Sequence, residues 1–174
     1  MPRLIMVAGE CLVIAACSGS LPHPSQANPA SHSLSSETIG WSIGPCNGFC
    51  PVYTVAVSPA GNVTFDGERH TAMLGHHIRE SGPGAWHAVA LALAAYRPAT
   101  NTSAKTTCER QATDQSVYHI TWTAPDGHVT TLTHDKGCRS ARNDALTAAL
   151  QSLPTALGIE PWARQMMRPR VSRG

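Results

Sequence analysis

Charge, aromatic rings and long apolar runs are all scarce in this 174-residue chain. Only 14% of residues are charged and the net charge is +2. No basic stripe interleaved with aromatics occurs, so the electrostatic footprint of a nucleic-acid binder is missing and no nucleic-acid partner is expected. The apolar stretch near the N-terminus holds about 13 residues, too few to cross a hydrocarbon core roughly 30 Å thick. There is no Gly-x-Ser-x-Gly elbow and no glycine loop that would cradle phosphate. No His-x-His or His-x-x-x-His pair offers two metal ligands from one element, and no spacing pairs two acids for acid–base work. These absences leave no catalytic residue to name, and the chain is expected to be neither an enzyme nor a holder of a cofactor.

What is present begins with MPRLIMVAGECLVIAACSGS. Arg3 gives a positive start, an apolar stretch follows, and Ile14-Ala15-Ala16-Cys17 closes it. Residues 1–16 read as a secretion signal. The ending resembles a bacterial lipobox, with Glu10 as the one departure inside the apolar stretch. That resemblance implies cleavage before Cys17 and lipid on its sulfur and new amino group. Ser18 in place of an aspartate implies sorting to the outer membrane. The expected location is the bacterial cell envelope, lipid-anchored and facing the periplasm, with the membrane itself as one partner. Residues 17–39 form the lipidated cysteine and a tether. Residues 18–38 contain three prolines and seven serines, a composition that cannot offset chain entropy by burial. Residues 161–174 form a basic tail with Arg164, Arg168, Arg170 and Arg173 and no acid. The folded part is one domain over residues 40–160.

Six cysteines occur, at 11, 17, 46, 50, 108 and 138. Cys11 leaves with the signal and Cys17 carries lipid, so four remain for the domain. An even number in an exported chain argues for disulfides. Four cysteines allow three pairings, and Cys46–Cys50 with Cys108–Cys138 is the favoured one. The second bridge would close a loop of about 31 residues and stabilise by roughly 3–4 kcal/mol in the chain-entropy view.

Along the domain, Tyr53, Val55 and Val57 alternate with Thr54 and Ala56, the period of a half-buried strand. Pro59-Ala60-Gly61 supplies turn chemistry and Asn62–Asp66 returns, setting Val57 opposite Val63 and Val55 opposite Phe65. Glu68–Leu74 extends that strand or begins a third. Ser81 is the expected cap of a helix carrying Trp86, Val89, Ala90, Leu93 and Tyr96 on one face, ended by Pro98. Residues 99–115 are polar and irregular. A second round follows. Tyr118, Ile120 and Trp122 alternate, Pro125-Asp126-Gly127 turns, and a Thr-rich strand returns through His134. Ser140 caps a second helix with Leu146, Ala149, Leu150 and Leu153 on one face. The expected class is α+β, two ββα units forming a four-stranded antiparallel sheet with both helices on one face. Tyr to turn glycine spans eight positions in the first unit and nine in the second, which predicts a bulge in one copy.

Gly44-Pro45-Cys46-Asn47-Gly48-Phe49-Cys50-Pro51-Val52-Tyr53, followed by a strand, a glycine turn and Thr64-Phe65-Asp66-Gly67-Glu68-Arg69-His70, resembles a bacterial domain-of-unknown-function family with the pattern G-P-C-x-G-x-C-P-x-Y. Cys108, Ala112-Thr113-Asp114, Ile120-Thr121-Trp122 and Gly137-Cys138-Arg139 match a subset of it. The resemblance covers residues 41–155. It implies an exported protein or lipoprotein and carries no activity or site residue.

The Cys-x-x-x-Cys-Pro string also resembles that of copper chaperones of the Sco type, in which two thiolates and a distant histidine hold the metal. There the cysteines precede a helix, whose N-terminus lowers a thiol pKa. Here a strand pattern follows Cys50, which favours a structural clasp with Gly48 easing the turn and Pro51 opening the strand. A metal site would require Asp114, His119 or His134 to meet His76 or His77. Read singly, the histidines are surface polar residues on the open sheet face. Trp86 and Trp122 lie on apolar faces and read as core. The sequence therefore favours a non-enzymatic binding or inhibitor-like module with an envelope protein as partner. The alternative is copper or thiol handling through Cys46 and Cys50.

Overall fold

Two glycine turns shape the sheet. Gly61 has φ of +83° and Gly127 of +86°, values that favour glycine. Each turn closes the same way, with Gly61 N–H donating to Ser58 C=O at 2.8 Å and Gly127 N–H to Ala124 C=O at 2.9 Å. The computed structural model that holds them describes residues 36–166. The segment expected to be a secretion signal, Cys17, the expected tether as far as residue 35 and the expected basic tail from residue 167 lie outside the described residues.

The strands are β1 (Thr38–Ile43), β2 (Val52–Val57), β3 (Asn62–Arg69), β4 (Gly75–Glu80), β5 (Ser103–Lys105), β6 (Arg110–Gln111), β7 (Val117–Thr123), β8 (Val129–Asp135) and β9 (Cys138–Arg139). The helices are α1 (Pro83–Leu93), α2 (Ala141–Ala156) and the single turn α3 (Glu160–Ala163). Seven strands form one sheet in the order β4-β3-β2-β1-β7-β8-β5, and β6 pairs with β9 in a two-stranded sheet. All pairs in the large sheet are antiparallel except β5 with β8. The α+β class holds, but the four-stranded sheet expected from the two hairpins is too small. β1, β4 and β5 are the additions. β1 begins at Thr38, inside the stretch expected to be tether, and buries Ile39, Trp41 and Ile43. β3 extends through Arg69, the next strand β4 begins only at Gly75, past the expected 68–74, and β5 arises within the polar segment 99–115.

The central position of β1 explains the repeat and its imperfection. The hairpins do not pair with each other, because β2 and β7 both run antiparallel to β1, one on each side. One hairpin therefore continues to the left of β1 and the other to the right. Two hairpins of the same hand arranged so are flipped relative to each other about the strand axis. The position beside the turn faces the core in the first, as Val57 opposite Val63, and faces outward in the second, as Thr123 opposite Val129. Keeping Tyr118, Ile120 and Trp122 in the core then requires one more residue before the turn. No bulge between tyrosine and turn is involved, since Tyr53 to Val57 pair without interruption with Gly67 to Val63. The bulge that exists lies beyond, at the Val52–Tyr53 step.

Both helices cover one face. Trp86, Val89 and Leu93 of α1 and Leu146, Leu150 and Leu153 of α2 share a core with Ile39, Trp41, Val55, Phe65, Ile120 and Trp122. Burying each such aliphatic side chain is worth roughly 1.5–3 kcal/mol. Ser140 caps α2, its Oγ accepting from Asn143 N–H at 3.1 Å. Ser81 does not cap α1. Gly82 holds the N-cap position with Pro83 at the first turn, and Ser81 Oγ–H donates instead to Leu157 C=O at 3.3 Å. The start of β1 is fastened by Glu37, which is buried. Its carboxylate meets Arg97 Nη2 at 2.6 Å and its carbonyl accepts from Trp86 Nε1–H at 2.6 Å. A charge pair this buried is costly to break, because removing one partner strands the other.

Candidate functional site

Alternation along the strands sends every second side chain to the face that α1 and α2 leave open. Strand register aligns these residues in rows across the whole sheet. One row runs His76, Asp66, Thr54, Ser42, His119, Thr133, Lys105. The next runs Ile78, Thr64, Ala56, Gly40, Thr121, Thr131, Ser103. Hydroxyls and small side chains dominate the second row, the first combines three hydroxyls with His76, Asp66, His119 and Lys105, and Phe, Tyr and Trp are absent from both. Gly40 keeps the middle flat, since a Cβ there would stand 2.9 Å from Thr121 Oγ1 and 3.3 Å from Val55 O. The Thr-rich alternation of β7 and β8 is the sequence signal for this surface. The contributions of Ser42 and Gly40 depend on β1 and are not anticipated.

A wall rises at one side of the open face. The segment after β5 leaves the sheet, forms β6 against β9, and bounds a cleft of about 450 Å³ lined by Lys105, Gln111, His119, Thr133 and Asp135. Three features hold the wall. Cys108 is joined to Cys138. Gln111 Nε2–H donates to Asp135 Oδ2 at 3.1 Å. Gly137 lets the backbones meet, because a Cβ there would lie 2.0 Å from Ala112 O. Asn143 on α2 donates to Thr107 C=O and Cys138 C=O, both at 2.9 Å, tying the base of the wall to the helix. Beside it Arg139 grips Asp144 at 2.6 and 3.2 Å, and those hydrogen bonds hold the Asp144 carboxyl below the usual carboxylate range.

The other disulfide, Cys46–Cys50, closes the connection from β1 to β2. The loop docks on the start of β7 and the segment before it, with Gly44 N–H donating to Val117 C=O at 2.9 Å and Asn47 N–H to Asp114 C=O at 3.2 Å. Phe49 packs edge-on against His70. A strand, not a helix, follows Cys50, so no helix N-terminus acts on these sulfurs.

The histidines do not converge. His76 and His119 lie in one row but four strand spacings apart, roughly 19 Å. His76 Nδ1 pairs with Asp66 at 2.8 Å. His77 points to the covered side, between Phe65 and Trp162. Asp114 lies in the loop that receives Asn47. His134 is a core residue and not a surface one. It is fully buried, stacks on Tyr118, and meets Thr147 Oγ1 at 2.8 Å and Thr106 Oγ1 at 3.2 Å. Burial pushes its pKa down, with Asp135 and Asp144 opposing. Among the described residues no group of three or more His, Cys, Asp or Glu side chains stands together in a way that could hold a metal ion. Among the same residues no helix is long and apolar enough to cross a membrane.

A comparison with curated proteins gives no match. A family described as a domain of unknown function, DUF6438, matches residues 37–157, from the buried Glu37 ahead of β1 to the residue after α2, and the chain belongs to that family.

Proposed function

We propose that this chain is a bacterial envelope lipoprotein, anchored through lipid on Cys17, whose domain is a non-enzymatic binding or inhibitor-like module. The observation that carries the reading is the open sheet face, a flat, hydroxyl-rich surface crossing seven strands and bounded by a disulfide-held wall. Its occupant is a protein partner that matches these hydroxyls with its own polar groups around the cleft. Two disulfides support export, since such bonds persist in oxidising compartments. In the cleft the Thr133 hydroxyl lies 3.3 Å from His119 Nδ1, and among the described residues no carboxylate hydrogen-bonds to that ring to orient it.

The test places a photo-activatable amino acid at Thr54 or Thr121 on the open face, and at Ala148 on the exposed side of α2, in the exported chain. The two open-face positions are expected to give the same discrete protein adduct and Ala148 none. Adducts of equal yield from all three positions, or none from any, would refute the binding face. Anchoring is tested separately by metabolic labelling with an alkyne fatty acid, which is expected to mark the chain and to be lost on Cys17→Ala.

A further inference from the structure

A second cavity lies on the covered side, at the end of the sheet remote from the two glycine turns. It measures about 230 Å³ and opens between the starts of β2 and β7 and the helices α2 and α3. Its walls are Ile43, Pro51, Pro154 and Ala163, all apolar, and Cys50 of the short disulfide forms one lip. Its polar lining is mostly hydrogen-bond donors, with Gln151, Gln165 and Glu160 beside them. Ser116 lines it, and although the residue is 1% exposed its Oγ has no hydrogen-bond partner among the described residues. Tyr53 and Tyr118 present their rings from the two strands flanking β1. Lys136 and Arg164 also line it, against the single acid Glu160.

Burial pushes the Tyr53 hydroxyl up to about 12 and the Tyr118 hydroxyl further still, so both remain neutral donors across the physiological range. A buried hydroxyl without a partner is costly, and a fold retains one where something outside the chain satisfies it. Water would satisfy Ser116 alone. It would not account for two cations, Lys136 and Arg164, lining the same cavity.

We propose that this cavity is a binding site for a small aliphatic carboxylate. The carboxylate lies between Lys136 and Arg164 and accepts from Ser116 Oγ–H, and the aliphatic body lies against Ile43 and Pro154. Charge-assisted hydrogen bonds of this kind are short and about twice as strong as neutral ones. A cavity of about 230 Å³ has room for an acid of a few carbons. This site shares no residue with the open face, so the two readings stand or fall separately.

The experiment titrates the full chain with butyrate and follows the Ser116 amide and the Trp41 indole N–H by nuclear magnetic resonance. Trp41 is a suitable reporter because it lies on β1, between the strands that carry Tyr53 and Tyr118 of the cavity wall. Saturable shifts at both are expected. Lys136→Met and Ser116→Ala are each expected to weaken binding about tenfold, the size of one lost charge-assisted hydrogen bond. Arg164→Gln, on an exposed residue whose loss leaves the fold intact, is the second arm should Ser116→Ala fail to fold. Butylammonium and inorganic phosphate serve as controls and are expected not to compete. The proposal is overturned if the shifts do not saturate, if either control binds as tightly as butyrate, or if Lys136→Met and Arg164→Gln both leave affinity unchanged.

Discussion

His134 shows at the scale of one residue how this fold resists ionisation. Its ring lies under α2, both nitrogens meet threonine hydroxyls, and Tyr118 covers one face. Asp135 and Asp144 favour the charged form and Lys136 opposes it, but desolvation outweighs them and the folded pKa falls below the ordinary 6.5. The sign follows from proton counting. Between the folded and unfolded pKa values the unfolded chain binds more protons, so stability rises with pH there. The contribution is complete above about pH 6.5 and is lost as pH falls toward the folded value. Urea unfolding between pH 8 and pH 5 is expected to show a decline of up to about 1.4 kcal/mol per pH unit below pH 6.5. His134→Gln, which keeps hydrogen-bonding capacity, is expected to be less stable at pH 8 yet nearly flat across the same window. An equal slope in the variant would show that another group carries the effect.

At the scale of elements, the two disulfides do different work. Cys46–Cys50 closes only the β1–β2 connection, whereas Cys108–Cys138 spans 30 residues and fastens the wall beside the cleft. In the chain-entropy view the shorter loop contributes about 2 kcal/mol and the longer about 4. Replacing both cysteines of a pair by serine is expected to lower the unfolding free energy in that order, measured by urea at neutral pH. Only loss of the longer bridge is expected also to reduce partner crosslinking from Thr121, because the wall is then free to leave the face. The elements themselves were unequally legible in the sequence. Turns at Pro59-Ala60-Gly61 and Pro125-Asp126-Gly127, the register of Val55 with Phe65, and the Ser140 cap are all local, and each follows from a few adjacent residues. β4 reads His76-His77-Ile78-Arg79-Glu80 and is an edge strand, where charged residues are tolerated and the apolar alternation fades. β5 has three residues and pairs in parallel, so its identity is fixed by β8 rather than by its own side chains. β1 did carry a signal, the alternation of Ile39, Trp41 and Ile43, but it directly follows a serine-rich run and one of its two partners, β7, lies far along the chain.

For the whole molecule, β1 is the strand on which everything else depends. Each hairpin alone would be marginal, and neither touches the other in the sheet. Their only common partner is β1, which also places Ile39, Trp41 and Ile43 under the helices. Ahead of it Glu37 bonds to Arg97 and Trp86, so the segment joins both hairpins to α1 and to the connection that follows it. The candidate surface inherits this dependence, because its rows are continuous only where Gly40 and Ser42 bridge β2 and β7. Native-state hydrogen exchange is the measurement that tests it. Amides of β1 and β7 are expected to exchange only through global unfolding, and those of β4 and β5 at the two edges through smaller openings. If β1 amides exchanged as fast as those of β4, the hairpins would have to be stable without their shared strand, and the sheet would be two joined halves. The expected order instead makes the molecule a single cooperative unit organised around the six residues of β1.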